Sequence, residues 1–338
     1  MAKTRALYAV SDILCSVRLF QTMAFAFAFH IAIASNGGAI DENRWDSIAS
    51  WVYQLQNYRG GKLDEIAASG YDLAVIDLAR DGASDYFTKN EIAAVKRTGK
   101  KILSYFEIGA IEKYRPEWKN LPKNLILEPV PEWPEEHFVK FWDERWWQVL
   151  KKRIDRSIDA GFDGAYLDIL TAYQEISLKS LGRNPPDRKK LASRMAALVV
   201  KIAEYAKKRN PNYKIFPQNC PELFSGDAWN GKQNDAYNAA IDGMGMESLF
   251  FMPMDKPADK KWCEENRRMA AGVAKAGKTL LGVDYCVKPE NVAKSNAMTR
   301  KLGGVPFQSV ENLDQCPKTH SGKKRKPNTV KRNKTEKK

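Results

Sequence analysis

"GFDGAYLDILTAYQ", residues 161–174, puts a carboxylate where a buried strand should end. Gly161 to Leu167 reads as the approach to such a strand, with Ala165-Tyr166-Leu167 as its apolar part, and Asp168 then stands between Leu167 and Ile169. Burying an unpaired carboxylate costs several kcal/mol or forces it to take up a proton. A strand that carries an acid at that point implies a use for it.

The same arrangement recurs along the chain. Strand-like runs fall at 51–58 (WVYQLQNY), 71–79 (YDLAVIDLA), 100–109 (KKILSYFEIG), 164–170 (GAYLDIL), 213–220 (YKIFPQNC), 243–250 (GMGMESLF), 278–286 (KTLLGVDYC) and 303–310 (GGVPFQSV). Helical patterns lie between them. Thr88 and Glu91 have capping-box spacing and open a helix that stops at Gly99. "RWWQVLKKRIDRSIDAG" carries apolar residues at three- and four-residue spacing and stops at Gly161, and "DRKKLASRMAALVVKIAEYAKKRN" ends before Pro211. "KKWCEENRRMAAGVAKAG" and "NVAKSNAMTRKLG" give two more helices; the links after strands one and five carry no clear pattern. Eight strands alternating with helices predict an α/β chain folded as a (β/α)8 TIM-type barrel over residues 35–316. An open doubly wound sheet would want a glycine-rich phosphate turn after strand one, and the chain has neither GxGxxG nor a P-loop.

In such a barrel the catalytic groups stand at the C-terminal ends of the strands. Those ends read Gln56 and Asn57, Asp77, Glu107, Asp168, Gln218 and Asn219, Glu247, and Asp284, while strand eight ends less clearly. Five acids on one rim make a carboxylate-lined cleft. The chain has three histidines, His30, His137 and His320, of which the barrel holds one, too few for a histidine zinc site. No GxSxG surrounds a serine, so a Ser-His-Asp hydrolase finds no support. A carboxylate-only calcium or magnesium site stays open, but no metal or other cofactor is expected. Two acids working on a glycosidic bond suit the inventory best. Trp118, Trp133, Trp142, Trp146 and Trp147 crowd the link between strands three and four, either packed on the barrel or offered to sugar rings.

Charge bounds the partners. The 338 residues carry +14, but residues 317–338 hold ten Lys/Arg and one acid, +9, and residues 1–34 hold +2, which leaves +3 for 35–316. The basic character therefore belongs to the tail "GKKRKPNTVKRNKTEKK", which has almost no apolar surface to bury and is expected to be disordered and to attach the protein to an anionic cell-surface polymer. No specific nucleic-acid partner is expected, and a monomer is. The apolar run "MAFAFAFHIAIA", 23–34, follows Lys3, Arg5 and Arg18 and ends in Ala32-Ile33-Ala34, so residues 1–34 read as a signal peptide or signal anchor and the protein as secreted, periplasmic or cell-surface. Cys220, Cys263, Cys286 and Cys316 then stand as disulfide candidates or as structural thiols, none at CxxC spacing.

The runs "WVYQLQNY", "YDLAVIDLARDG", "KKILSYFEIGAIEKYR", "VKFWDERWW", "GFDGAYLDILTAY" and "GMGMESLFF" resemble the endo-α-1,4-polygalactosaminidase family, glycoside hydrolase family 114, and its bacterial and archaeal relatives, in order over about residues 50–310. The resemblance implies a glycosidase acting on an α-linked, galactosamine-containing polysaccharide, with catalytic acids on strands four and six, here Asp168 and Glu247. By similarity to retaining α-glycosidase barrels Asp168 is the nucleophile and Glu247 the general acid/base; the residues themselves leave the reverse open. Many relatives carry a further acid three residues after the strand-four aspartate, where this chain has Thr171. Tyr53, Gln56, Asp77, Tyr105, Glu107, Tyr166, Tyr173, Gln218, Asn219 and Asp284 are the expected substrate contacts. The alternative is a non-catalytic carbohydrate-binding barrel held on anionic surfaces by its tail.

Overall fold

The structure, a computed structural model, describes residues 45, 47–229 and 234–318. The leader 1–34, with its cleavage signal, and the tail from 319 lie outside the described residues.

Eight parallel strands form the barrel: β1 (Trp51–Gln54), β2 (Leu73–Asp77), β3 (Lys101–Glu107), β4 (Gly164–Asp168), β5 (Lys214–Pro217), β6 (Gly243–Glu247), β7 (Thr279–Asp284) and β8 (Val305–Gln308). Spatial order follows chain order. Ladders join β1-β2-β3-β4-β5 and β6-β7-β8. The two groups meet where Gln218 bridges Gly245 in parallel and Asn219 N–H donates to the Gly245 carbonyl at 2.8 Å. On the other side the Trp51 indole donates to the Val305 carbonyl at 2.9 Å. Trp51, Tyr53, Tyr166, Phe216 and Phe307 fill the interior.

The longest helix after each of the first seven strands is α1 (Asp64–Ala68), α2 (Lys89–Lys96), α3 (Glu144–Ala160), α4 (Arg188–Arg209), α5 (Asp235–Ala240), α6 (Lys261–Lys275) and α7 (Pro289–Lys301), with short helical turns at Ala172–Glu175 and Pro221–Ser225 ahead of α4 and α5. α2 opens on the predicted capping box, and α3 closes on Gly161 at φ 90°, a left-handed position that suits glycine. The two links without a clear pattern hold the short α1 and α5, of five and six residues. Too few turns are present for a helical period to show. The first run is also shorter than predicted: β1 stops at Gln54, and Gln56 and Asn57 lie beyond it.

A repeat ties both rims together. Asp72, Asp163 and Asp242 stand just before β2, β4 and β6, and five residues later come Asp77, Asp168 and Glu247. At the lower rim each aspartate accepts a backbone N–H of the preceding strand segment: Ser50 at 3.0 Å, Ile102 at 2.8 Å and Ile215 at 3.0 Å. These caps set the height of the even strands, and so of the acids at their upper ends. The link from β3 to α3 adds a three-stranded antiparallel sheet, Ala110–Glu112, Ile126–Val130 and Trp133–Val139. Trp146 and Trp147 of the predicted aromatic cluster are buried, Trp118 and Trp142 pack partly against the core, and Trp133 is exposed. Cys220, Cys263, Cys286 and Cys316 are free thiols, the first three buried.

Candidate active site

Five acids end barrel strands as predicted, but their surroundings divide them. Asp77 is buried and gripped by Arg115, three residues past the first strand of the added sheet, whose guanidinium donates to Oδ1 at 3.0 Å and to Oδ2 at 2.7 Å. Ala79 N–H takes Oδ1 as well. The same Arg115 donates twice to Glu112, at 2.9 and 2.8 Å. Glu107 is buried beside this group; burial and then the Glu112 charge hold its carboxyl well above the usual range. Glu112 stays ionised, drawn down to about 2 against its own burial by Arg115. Glu136, across the added sheet from Glu112, is raised to about 9 by burial and the Glu112 charge. Asp284 is buried as well. Its Oδ1 accepts the N–H groups of Phe250 and Phe251 at 2.8 and 3.0 Å and its Oδ2 the Ser295 hydroxyl at 2.6 Å, so it pins the loop after β6.

Only Asp168 and Glu247 of the five keep part of their surface open. Asp168 Oδ1 accepts the N–H of Ile169 at 2.7 Å and Oδ2 the Tyr105 hydroxyl at 2.9 Å. Burial first, and then the charge of Glu247, raise its carboxyl to about 7 in spite of these two donors. Glu247 Oε1 accepts the Tyr285 hydroxyl, and Oε2 accepts the Asn219 amide at 3.0 Å. Ile169 and Ser248, directly after Asp168 and Glu247, and Asn219, two residues past β5, are in left-handed backbone, at φ 56°, 51° and 62°. For a β-branched residue such as Ile169 this is a strained turn, of a kind that gathers at functional sites.

The expected contact residues fall in two layers. Tyr173 and Asn219 line a cleft of about 1190 Å³ that reaches Glu247, together with Thr171, Glu222 and Trp262. Tyr173 hydrogen-bonds Glu222. Tyr105 is buried and reaches the site through Asp168. Tyr53, Tyr166 and Gln218 are buried below it: Tyr53 donates to Gln218 Oε1 at 3.0 Å, and Tyr166 packs against Gly245, where a Cβ would lie 1.8 Å from its oxygen. Gln56 is exposed and donates to the Asn312 carbonyl at 2.7 Å, tying the β1 end to the segment after β8. Asp77, Glu107 and Asp284, expected as substrate contacts, are buried: Arg115 closes Asp77 and the Phe250 and Phe251 amides close Asp284, each from a distant segment, while Glu107 lies under the added sheet beside Glu112. Tyr285, Glu222 and Arg115 were not singled out as site residues. Tyr285 follows Asp284 directly and Arg115 closes the motif "IEKYR", but neither neighbour in sequence signals its partner in space. Among the described residues no three histidine, cysteine or acidic side chains gather as a metal ion would need.

The sequence matches the glycoside-hydrolase family GH114 over residues 34–315. An uncharacterized protein of Thermotoga maritima is 32% identical over 281 residues, 78% of this chain and 81% of its own length. One of Methanocaldococcus jannaschii is 30% identical over 262 residues, 76% and 72% of the two chains. Among solved structures, Ega3 of Aspergillus fumigatus, in complex with galactosamine, aligns with a TM-score of 0.60 at 16% identity over 80% of this chain and 95% of that one. The glycoside hydrolase domain of PelA from Pseudomonas aeruginosa aligns at 0.61 and 15% identity, over 79% and 97%. At such identities the likeness speaks for a shared barrel. With a family match that spans nearly the whole of residues 35–316, the chain belongs to glycoside hydrolase family GH114.

Proposed function

We propose that this glycoside hydrolase is exported and cuts an α-linked, galactosamine-containing polysaccharide with retention, using Asp168 as nucleophile and Glu247 as general acid and base. The observation that carries the pair is selective exposure: of five acids at the upper rim, these two alone are not enclosed. In the first step an Asp168 oxygen bonds to the anomeric carbon, the bond to the departing sugar oxygen breaks, and Glu247 gives that oxygen its proton. In the second, Glu247 takes a proton from water, the water oxygen bonds to the anomeric carbon, and Asp168 leaves as carboxylate. The Ile169 N–H and the Tyr105 hydroxyl stabilise Asp168 as an anion. Glu247 charge resists that ionisation. A proton on Glu247, which the first step requires, removes the resistance, so the pair is suited to hold one proton between two acids.

Two further points support the amino-sugar polymer. Six carboxylates and three basic side chains line the cleft, a balance that favours a cationic ligand. The structurally similar Ega3 was solved with galactosamine. Export rests on the apolar segment 23–34. The test is product analysis of the purified protein on a panel of α-linked hexosamine and neutral polysaccharides, with NMR of the first anomer released. Asp168→Asn and Glu247→Gln should each remove nearly all turnover. Activity above a few per cent in either variant, or an inverted first product, would sink the assignment.

A further inference from the structure

The cleft runs one way only. Its walls come from the added sheet and from the segments after β4, β5 and β6; no residue after β1, β2, β7 or β8 contributes among the described residues. At about 1190 Å³ it exceeds the usual range for one drug-sized ligand, so a single sugar ring would leave much of it empty. Glu247 and Asn219, at the barrel rim and only partly exposed, line it, and the first turns of α6 supply a wall.

On that wall stands Trp262, 45% exposed. The other tryptophans are treated differently. Trp51 and Trp146 are fully buried, Trp142 is covered by Arg194 and Trp229 is tied to Ser193. Trp133 is exposed too, but it does not line the cleft. An indole left open in a concave site keeps a large apolar face in water, a cost that a stacked ligand would relieve. Trp262 is also placed with polar companions. Glu265 and Asn266 follow at i+3 and i+4, on the same face of α6, and both line the cleft.

We infer that Trp262, flanked by Glu265 and Asn266, forms an outer subsite that takes a pyranose ring of the polymer away from the bond being cut, and that it sets a preference for long chains. This rests on the glycosidase reading above. The indole would take the C–H face of the ring, the Asn266 amide a ring hydroxyl, and the Glu265 carboxylate an ammonium group. An ammonium close to the indole face adds cation–π attraction, which is strongest for tryptophan.

The test uses the full chain and α-1,4-linked galactosamine oligomers from the disaccharide upward. Trp262→Ala should lower kcat/KM on long oligomers roughly tenfold, the scale of one desolvated aromatic contact, chiefly through KM. It should leave the shortest cleaved oligomer and the melting temperature unchanged, and Trp262→Phe should recover part of the loss. In the Asp168→Asn background, where the ligand stays whole, calorimetry should show affinity rising with length and that rise lost on Trp262→Ala. An equal loss at every length, or no loss at any, overturns the subsite while the glycosidase reading stands. If the wild type cuts none of these oligomers but does cut another α-linked polymer, the amino-sugar assignment fails and the Glu265 role with it. No cleavage of any polymer overturns both.

Discussion

Asn219 holds Glu247 at two points: its Nδ2 donates to Oε2 at 3.0 Å, and its Oδ1 accepts the Glu247 backbone N–H at 3.1 Å. One amide thus fixes both the strand end and the carboxylate. Asn219 itself sits at φ 62°, so glycine is the substitution that removes the amide without backbone strain. Asn219→Gly should lower kcat roughly 10- to 100-fold while the melting temperature stays near wild type. Wild-type kcat in this variant would show that the clamp does not position the acid.

Asp168 predicts two pH effects. With Glu247 ionised the Asp168 carboxyl is raised to about 7, so above that pH the pair has lost the proton that the general acid must give, and kcat/KM should fall through a limb near that value. In Glu247→Gln, assayed on an aryl glycoside whose leaving group needs no acid, activity should instead rise with Asp168 ionisation through a limb at lower pH, because the Glu247 charge is gone. A limb still near 7 in that variant denies the coupling.

Stability carries the same sign. A carboxyl whose folded value lies above its unfolded value favours folding below the unfolded value, about 4, and that contribution is lost as pH rises through about 7. Asp168→Asn should therefore gain on the wild type between those limits. By pH 8 the gain should be about 1–2 kcal/mol, less than the full shift implies because Asp168 keeps an open face. Calorimetry at acid and alkaline pH measures it, and a difference that does not grow with pH contradicts the burial of the charge.

Arg115 and Glu107 should respond in opposite ways. Arg115→Ala leaves Asp77 and Glu112 charged, buried and without their cation, at a cost of about 3–5 kcal/mol. Glu107 is already neutral by burial, so Glu107→Gln keeps its charge and shape and should move the urea midpoint at pH 7 very little. A large loss in Glu107→Gln would mean that the group is ionised.

Gly245→Ala tests the close approach of β6 to β4. The added methyl would meet the Tyr166 oxygen at 1.8 Å and its ring carbon Cζ at 2.3 Å, with Tyr166 fully buried and unable to swing away. A loss of at least about 1–3 kcal/mol is expected, with turnover falling because Glu247 lies two residues on. A variant of wild-type stability and activity would show that the barrel has slack there.

Much of this was legible from local pattern. Strand and helix alternation, the Thr88 capping box and the Gly161 stop are short-range features, and so is the acid that closes β2, β3, β4, β6 and β7. Side-chain period and cap chemistry act over a few residues, and a single sequence displays them directly.

Which of those acids keeps part of its surface open is a different kind of property, and tertiary structure alone decided it. Asp77 occupies the same place on β2 as Asp168 on β4 and Glu247 on β6, five residues after a lower-rim aspartate. It is closed because Arg115 reaches it from 38 residues away. Asp284 is closed by amides at Phe250 and Phe251 and a hydroxyl at Ser295, and Trp262 became a cleft residue only when α6 packed beside β6. The character of a carboxylate depends on burial and on charges within a few ångströms, and those neighbours are assembled by folding, whereas the position of the acid along its strand is written in the chain.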